Sequence, residues 1–173
     1  MAESLGILGV GHLASYTVAA LRRAGDKRRI VLSPRNQERA KLLQSSYGCD
    51  IAVNNQAVID KCKVVLLAVR PDQLKNLAAE IVPTSDHLLI SCIAGISLKR
   101  LQTLLPSTTV VRTQPLASVE VGEGVVPLFP QNSTAQAILD PIGKLMVFDS
   151  EADYDLAGVA AVMNGLCLVL WRS

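Results

Sequence analysis

Aromatic residues are scarce in this sequence: one Trp, three Tyr and two Phe in 173 residues, while half of the residues are hydrophobic. A core of ordinary size must therefore be built from Ala, Val, Ile and Leu, which suits the interior of a parallel sheet covered by helices. An excess of charge is also missing. The formal net charge is +2, which leaves no electrostatic case for nucleic acid or an anionic membrane surface as partner. The one basic run, Arg22, Arg23, Lys27, Arg28 and Arg29, crosses a helix end and a loop and reads as a solvated face. Paired cysteines are lacking too. Cys49, Cys62, Cys92 and Cys167 form no C-x-x-C and do not stand with His12 or His87 at metal-ligand spacing, so no metal is expected and the thiols read as small buried groups in a reducing compartment. No charged n-region and apolar h-region precede the first strand, and a cytoplasmic protein is the expectation. The stretch from Leu156 to Trp171, the one that raises a membrane question, is shorter than the roughly 20 residues needed to span a bilayer and contains Asn164 and Gly165. It is expected to be buried against protein.

What is present is organised by the first fourteen residues. Leu5-Gly6-Ile7-Leu8-Gly9-Val10 reads as a buried strand running into Gly9-Val10-Gly11-His12-Leu13-Ala14, a G-x-G-x-x-A pattern at a strand-to-helix turn. Gly9 permits the tight turn, Gly11 lets backbone approach a pyrophosphate, and Ala14 lets the helix pack closely on the strand. The free N–H groups at such a helix start hold an anion.

A helix is expected from about Leu13 to Ala24, with Leu13, Val18 and Leu21 on its apolar face and Gly25 ending it. Arg29 to Leu32 forms a second strand, and a helix over Gln37 to Ser46 buries Ala40, Leu42 and Leu43. Cys49 to Val53 is a third strand, followed by a short helix around Ala57 to Asp60 that Asn54 and Asn55 can cap. Lys63 to Val69, the most continuous apolar run, is a central strand ending at Arg70-Pro71. A helix over Asp72 to Ile81, a fifth strand at Leu88 to Cys92, and a helix capped by Ser97 and running through Leu105 come next. Thr108 to Arg112, Val125 to Phe129 and Met146 to Phe148 complete the strands, with a helix capped by Ser133 and running to about Leu145 between the last two. Alternating strands and helices without internal repeats predict an α/β fold, a doubly wound Rossmann-type, mostly parallel sheet of about eight strands. Residues 1–150 form this dinucleotide-binding domain, and 151–173 the start of a C-terminal helical segment. Ligands then belong at the carboxyl ends of the strands.

The end of the second strand discriminates between nucleotides. An acidic residue there would bind the adenosine ribose 2′-OH, whereas Ser33-Pro34-Arg35 offers a hydroxyl and a guanidinium fork to a 2′-phosphate, so NADP is the expected cofactor. Asn55, at the end of the third strand, is a further candidate for the same pocket.

With these segments in view, the chain resembles the pyrroline-5-carboxylate reductase family over about residues 4 to 155. The resemblance rests on Gly6 to Ala14, Ser33-Pro34-Arg35, Ala68-Val69-Arg70-Pro71 and Ser91-Cys92-Ile93-Ala94-Gly95-Ile96-Ser97-Leu98, and continues through Val111 to Pro115 and Val121 to Gly124. It implies a cofactor site formed by Leu8, Gly9, Val10, Gly11, His12, Leu13, Ser33, Asn55, Ala68, Val69, Arg70, Pro71, Cys92, Ile93 and Ala94, to which the strand-end argument adds Arg35. It also implies NADP-dependent hydride transfer to a cyclic imine, as in proline biosynthesis, and a homodimer formed through the apolar C-terminal helix. Two segments depart from the family. Gln114-Pro115-Leu116 stands where M-P-N is usual, and Ala161-Val162-Met163-Asn164-Gly165 stands where S-G-S-G-P is usual. No residue identifies itself as a catalytic acid. Two alternatives accompany the reductase reading: a catalytically impaired NADP-binding module, and a related reductase acting on a different small-molecule substrate.

Overall fold

Leu5, Ile7 and Leu8 are fully buried, and the strand they form, β1 (Leu5–Leu8), lies inside the sheet with a parallel neighbour on each side. A strand covered on both faces has no use for polar alternation, which is why this one reads as a continuous apolar run. The computed structural model describes residues 4–122 and 124–159.

The elements follow in the expected alternation: α1 (His12–Arg23), β2 (Ile30–Leu32), α2 (Gln37–Tyr47), β3 (Asp50–Ile51), α3 (Asn55–Lys61), β4 (Val64–Leu67), α4 (Leu74–Glu80), β5 (Leu88–Ser91), α5 (Leu98–Leu104), β6 (Thr109–Thr113), β7 (Val125–Phe129), α6 (Ser133–Leu139) and β8 (Lys144–Val147), with residues 151–159 helical. The eight strands form one sheet in the order β3-β2-β1-β4-β5-β6-β7-β8. Neighbours from β3 to β6 are parallel. The β6–β7 pair is antiparallel, and β8 runs parallel to β7. This is the doubly wound, mostly parallel α/β architecture. Alternate residues of one strand serve opposite layers: Val64 and Leu66 pack with α1, α2 and α6 through Val18, Leu43 and Ile138, while Val65 and Leu67 pack with α3, α4 and α5 through Ile59, Leu77 and Leu101.

The differences from expectation have local causes. The third strand holds only Asp50 and Ile51, and Val53 beyond it is 84% exposed. Leu42 is 59% exposed, because Ala40 and Leu43 face the sheet and leave it outside their stripe. The last helix is capped by Asn132, whose side chain accepts the Ala135 N–H at 3.0 Å, not by Ser133. It ends at Leu139, passing through a 3-10 turn at Asp140–Ile142; the helical path stops at Gly143 and Lys144 opens β8. The basic run is not simply a solvated face. Arg22 donates to the carbonyls of Tyr47, Asp26 and Arg28 at 3.1, 2.8 and 3.2 Å, and Arg23 donates to Val119 and Glu120. Arg28 pairs with Asp26 at 2.6 Å and Arg29 with Asp50 at 2.5 Å.

Candidate functional site

Helix α1 leaves β1 on one face of the sheet, and α4 leaves the neighbouring β4 on the other, since the buried residues of the two helices belong to opposite core layers. Two adjacent parallel strands whose connections diverge open a crevice at their carboxyl ends. Here it is a cleft of about 290 Å³ lined by Gly9, Val10, Gly11, Ser33, Arg35, Asn36, Asn55, Ala68, Val69, Arg70, Gln73 and Leu77. Among the described residues, two arginines and no carboxylate line it.

The two glycines of the turn are there for different reasons. Gly9 has φ +95°, and a Cβ on it would stand 2.6 Å from the Ala68 carbonyl oxygen and 2.8 Å from Val69 Cγ1. The fold itself requires glycine at that position. Gly11 has an ordinary extended backbone, and a Cβ added to it would meet nothing within 4 Å. It also stands at the N-cap of α1, where no side chain caps the helix, so the first N–H groups of α1 are left facing the cleft side of the turn.

Ser33 is 1% exposed, and its Oγ accepts the Gly9 N–H at 3.1 Å. It therefore pins the glycine turn to β2, its own proton remaining available. Arg35 is exposed and has neither an ion pair nor a hydrogen bond among the described residues. Asn55 donates through Nδ2 to Glu80 at 2.5 Å. Arg70 lies 3.8 Å from Asp72, and its backbone N–H is accepted by Gln73 at 3.4 Å.

Nine of the sequence-derived residues thus meet in one cleft: Gly9, Val10, Gly11, Ser33, Arg35, Asn55, Ala68, Val69 and Arg70. The others lie around it. The Leu8 side chain is fully buried in the core, and only its backbone reaches the edge, its carbonyl accepting from Ala68 at 2.7 Å. Leu13 packs half-buried against the core. His12 is exposed, its Nδ1 and Nε2 each 3.3 Å from a terminal nitrogen of the Arg39 guanidinium. Pro71 opens an exposed 3-10 turn beside the cleft. Cys92 and Ile93 are buried in opposite core layers, and burial pushes the Cys92 thiol up to about 12, which removes it as a nucleophile near neutrality. Asn36, Gln73 and Leu77 join the lining unforeseen. Asn36 caps α2 and Leu77 fills the core side of α4, so each reads from sequence as a structural residue.

Ala94 lines a second cavity of about 450 Å³, with Gly95, Ser97, Arg112, Gln114, Asp155, Gly158 and Val159. It lies at the carboxyl ends of β5 and β6 and takes its far wall from the helical residues 151–159. Arg112 anchors it. Although on a buried strand and 4% exposed, its guanidinium contacts Glu151 at 2.5 Å and Asp155 at 2.8 Å, with Cζ 4.5 Å from the centre of the Tyr154 ring. Burial raises the Tyr154 phenol well above its usual range, against the opposing pull of Arg112.

The family model described as NADP oxidoreductase, coenzyme F420-dependent matches residues 4–95. Pyrroline-5-carboxylate reductase 3 of Macaca fascicularis is 35% identical over 127 residues, covering 70% of this chain and 46% of the relative. The pyrroline-5-carboxylate reductase of Haemophilus influenzae is 32% identical over 160 residues, covering 85% of this chain and 58% of the relative. The chain thus spans about half the length of these curated relatives. The crystal structure of Plasmodium falciparum pyrroline carboxylate reductase with NADP bound superposes with a TM-score of 0.82 at 21% identity, over 98% of this chain and 66% of that one, a likeness of fold. Family match, relatives and fold agree: the chain belongs to this NADP oxidoreductase family, and within it is similar to the pyrroline-5-carboxylate reductase family over the part of those relatives that it spans.

Proposed function

We propose that the chain binds NADP in the cleft between β1 and β4 and serves as a reductase delivering hydride to a cyclic imine, the activity carried in the names of its relatives. The observation that carries this reading is Gly11. Among the described residues nothing requires a glycine there, and the missing Cβ leaves room for a pyrophosphate against the N–H groups of α1. Ser33, buried under the turn, holds Gly9 in place. Arg35, with no ion pair or hydrogen bond among the described residues and facing a cleft into which none of them brings a carboxylate, supports a 2′-phosphate and hence NADP over NAD. Ala68 and Val69 supply apolar contact to a flat ring. The bound nucleotide supplies the hydride. The chain's own contribution is to hold the reacting groups in position at Ala94 and Gly95, where the second cavity opens. His87 plays no part: it is buried, with its Nδ1 2.9 Å from the Thr84 hydroxyl and its Nε2 3.1 Å from the Ile59 carbonyl oxygen.

The apolar run from Leu156 to Leu170 lies mostly outside the described residues. Leu156 and Val159 at its start are 69% and 58% exposed, which supports the proposed homodimer. Among the described residues no helix is long and apolar enough to cross a membrane.

The test is NADPH oxidation by the purified chain with pyrroline-5-carboxylate, beside NADPH and NADH titrations and sedimentation of the same sample. Turnover with preference for NADPH is the expected outcome, from a dimer. Tight NADPH binding without turnover on this or any other imine would instead assign the chain as a binding module, the reading favoured by Leu116 in the loop after β6. Failure to bind either nucleotide would overturn the cleft assignment.

A further inference from the structure

An arginine near the end of an interior strand is out of place unless its charge is matched. Arg112 is 4% exposed, and its matching charges come from an element far along the chain. Its Nη1 meets Glu151 and its Nη2 meets Asp155, two carboxylates one turn apart on the same face of the helical residues 151–159. Tyr154, between them in sequence, lays its ring against the same guanidinium. Its other sides meet Phe129 and Phe148, with centroids at 6.4 and 6.1 Å. Nε has no hydrogen-bond partner among the described residues, so the ion-pair hold of the arginine rests on its two terminal nitrogens, one per carboxylate. A lysine presents a single nitrogen instead of this planar fork and so does not reproduce its geometry. Glu151 does a second job, accepting the Leu98 N–H at 2.6 Å, and so ties the first turn of α5 to the same point.

The three elements joined at Arg112 are also the walls of the second cavity: Gly95 and Ser97 before and at the cap of α5, Gln114 just after β6, and Asp155, Gly158 and Val159 on the helical residues 151–159. The fit of that last wall is close, since a Cβ on Gly158 would come within 3.2 Å of Gln114 Oε1. None of Arg112, Glu151 or Asp155 lines the nucleotide cleft.

We propose that Arg112 is a positioning residue for the reduction: by gripping Glu151 and Asp155 it holds residues 151–159 as the far wall of the second cavity, and so sets where the imine substrate sits beside Ala94 and Gly95. The substrate half of this inference rests on the reductase reading above. The latch itself does not.

Asp155→Asn is the informative variant, because that side chain is 56% exposed and its loss leaves the core intact; Glu151→Gln and Arg112→Lys extend the series. All are made in the full chain and read three ways: amide hydrogen exchange over 151–159, NADPH dissociation constant, and kcat and KM for pyrroline-5-carboxylate. Loss of one charge-assisted contact is expected to raise exchange over 151–159 and KM each by about tenfold, with the NADPH constant held within about twofold. Unchanged exchange would overturn the latch. Raised exchange with unchanged KM would overturn its role in placing substrate, and an NADPH constant that moved together with KM would show a merely structural effect. A wild-type chain that binds NADPH without turning over would sink the reductase reading, and the latch would still stand or fall on exchange and on the constancy of NADPH affinity.

Discussion

At the scale of single residues, Gly9 and Gly11 look alike in the sequence and differ in the structure. Replacing Gly9 by Ala places a methyl group 2.6 Å from a backbone oxygen at φ +95°, and should cost roughly 1–3 kcal/mol from the backbone conformation alone, more with the clash. Replacing Gly11 by Ser meets open space and gives α1 the side-chain cap it lacks, so stability should hold or rise by a few tenths of a kcal/mol. NADPH affinity should nonetheless drop on the order of tenfold or more, since the hydroxymethyl group stands where the pyrophosphate approaches its N–H donors. Thermal melts and nucleotide titrations of the two variants separate these effects. Unchanged NADPH binding by Gly11→Ser would remove the main support for the cleft as a nucleotide site. Ser33 shows the limit of reading residues one at a time. Its position at the end of β2 was legible, but its acceptor role toward Gly9, 24 residues earlier, depends on the register of two parallel strands.

At the scale of elements, the caps are locally written. Asn36, Asn54, Ser97 and Asn132 each accept a backbone N–H three residues on; Asn54 and Ser97 were legible as caps from residue type and place alone, whereas Asn132 takes the role expected of its neighbour Ser133. Asn132→Ala removes a cap far from the cleft and should cost about 1 kcal/mol in urea unfolding while leaving NADPH affinity unchanged; a loss of affinity would mean that α6 is coupled to the site. The strands were equally legible, because continuous apolar runs between turns mark strands buried on both faces. Of the sixteen candidates that the family resemblance and the strand-end argument supplied, nine line the cleft, at the carboxyl ends of such strands. The direction of β7 was not legible, since strand periodicity is the same in either sense. The second cavity was missed for a related reason: Arg112 reads as a strand residue, and its partners lie 39 and 43 residues away. The reversal of β7 and β8 is what brings those partners near. With β7 paired to β6 only through Arg112–Phe129 and Thr113–Leu128, β8 finishes level with the carboxyl end of β6, and the chain emerges from it next to Arg112.

At the scale of the whole molecule, the core is built with thiols among its aliphatic groups, and this sets a pH limit. Burial raises Cys92 from near 9 to about 12 and Cys62 to about 11. The folded chain keeps these protons where the unfolded chain has released them. Stability is therefore unaffected by these groups below the ordinary thiol value and falls as pH rises from about 9 toward 12, by up to about 1.4 kcal/mol per pH unit for each fully buried thiol. Urea midpoints measured from pH 7.5 to 10.5 should be flat and then decline, and Cys92→Ala should lessen the decline even if it lowers the plateau. A slope identical in the two proteins would exclude the thiol as its source.

The strand order carries one more consequence, for the order of synthesis. Leu5 pairs with Ile30 on one side and with Val64 on the other, so the earliest-made of the eight strands is an interior one. At about 5–20 residues per second, several seconds separate the emergence of its two partners. Over that interval the nascent chain carries a fully apolar strand with one edge unpaired, the kind of edge that other chains can join, which makes this interval the one in which a holding chaperone would matter most to its yield.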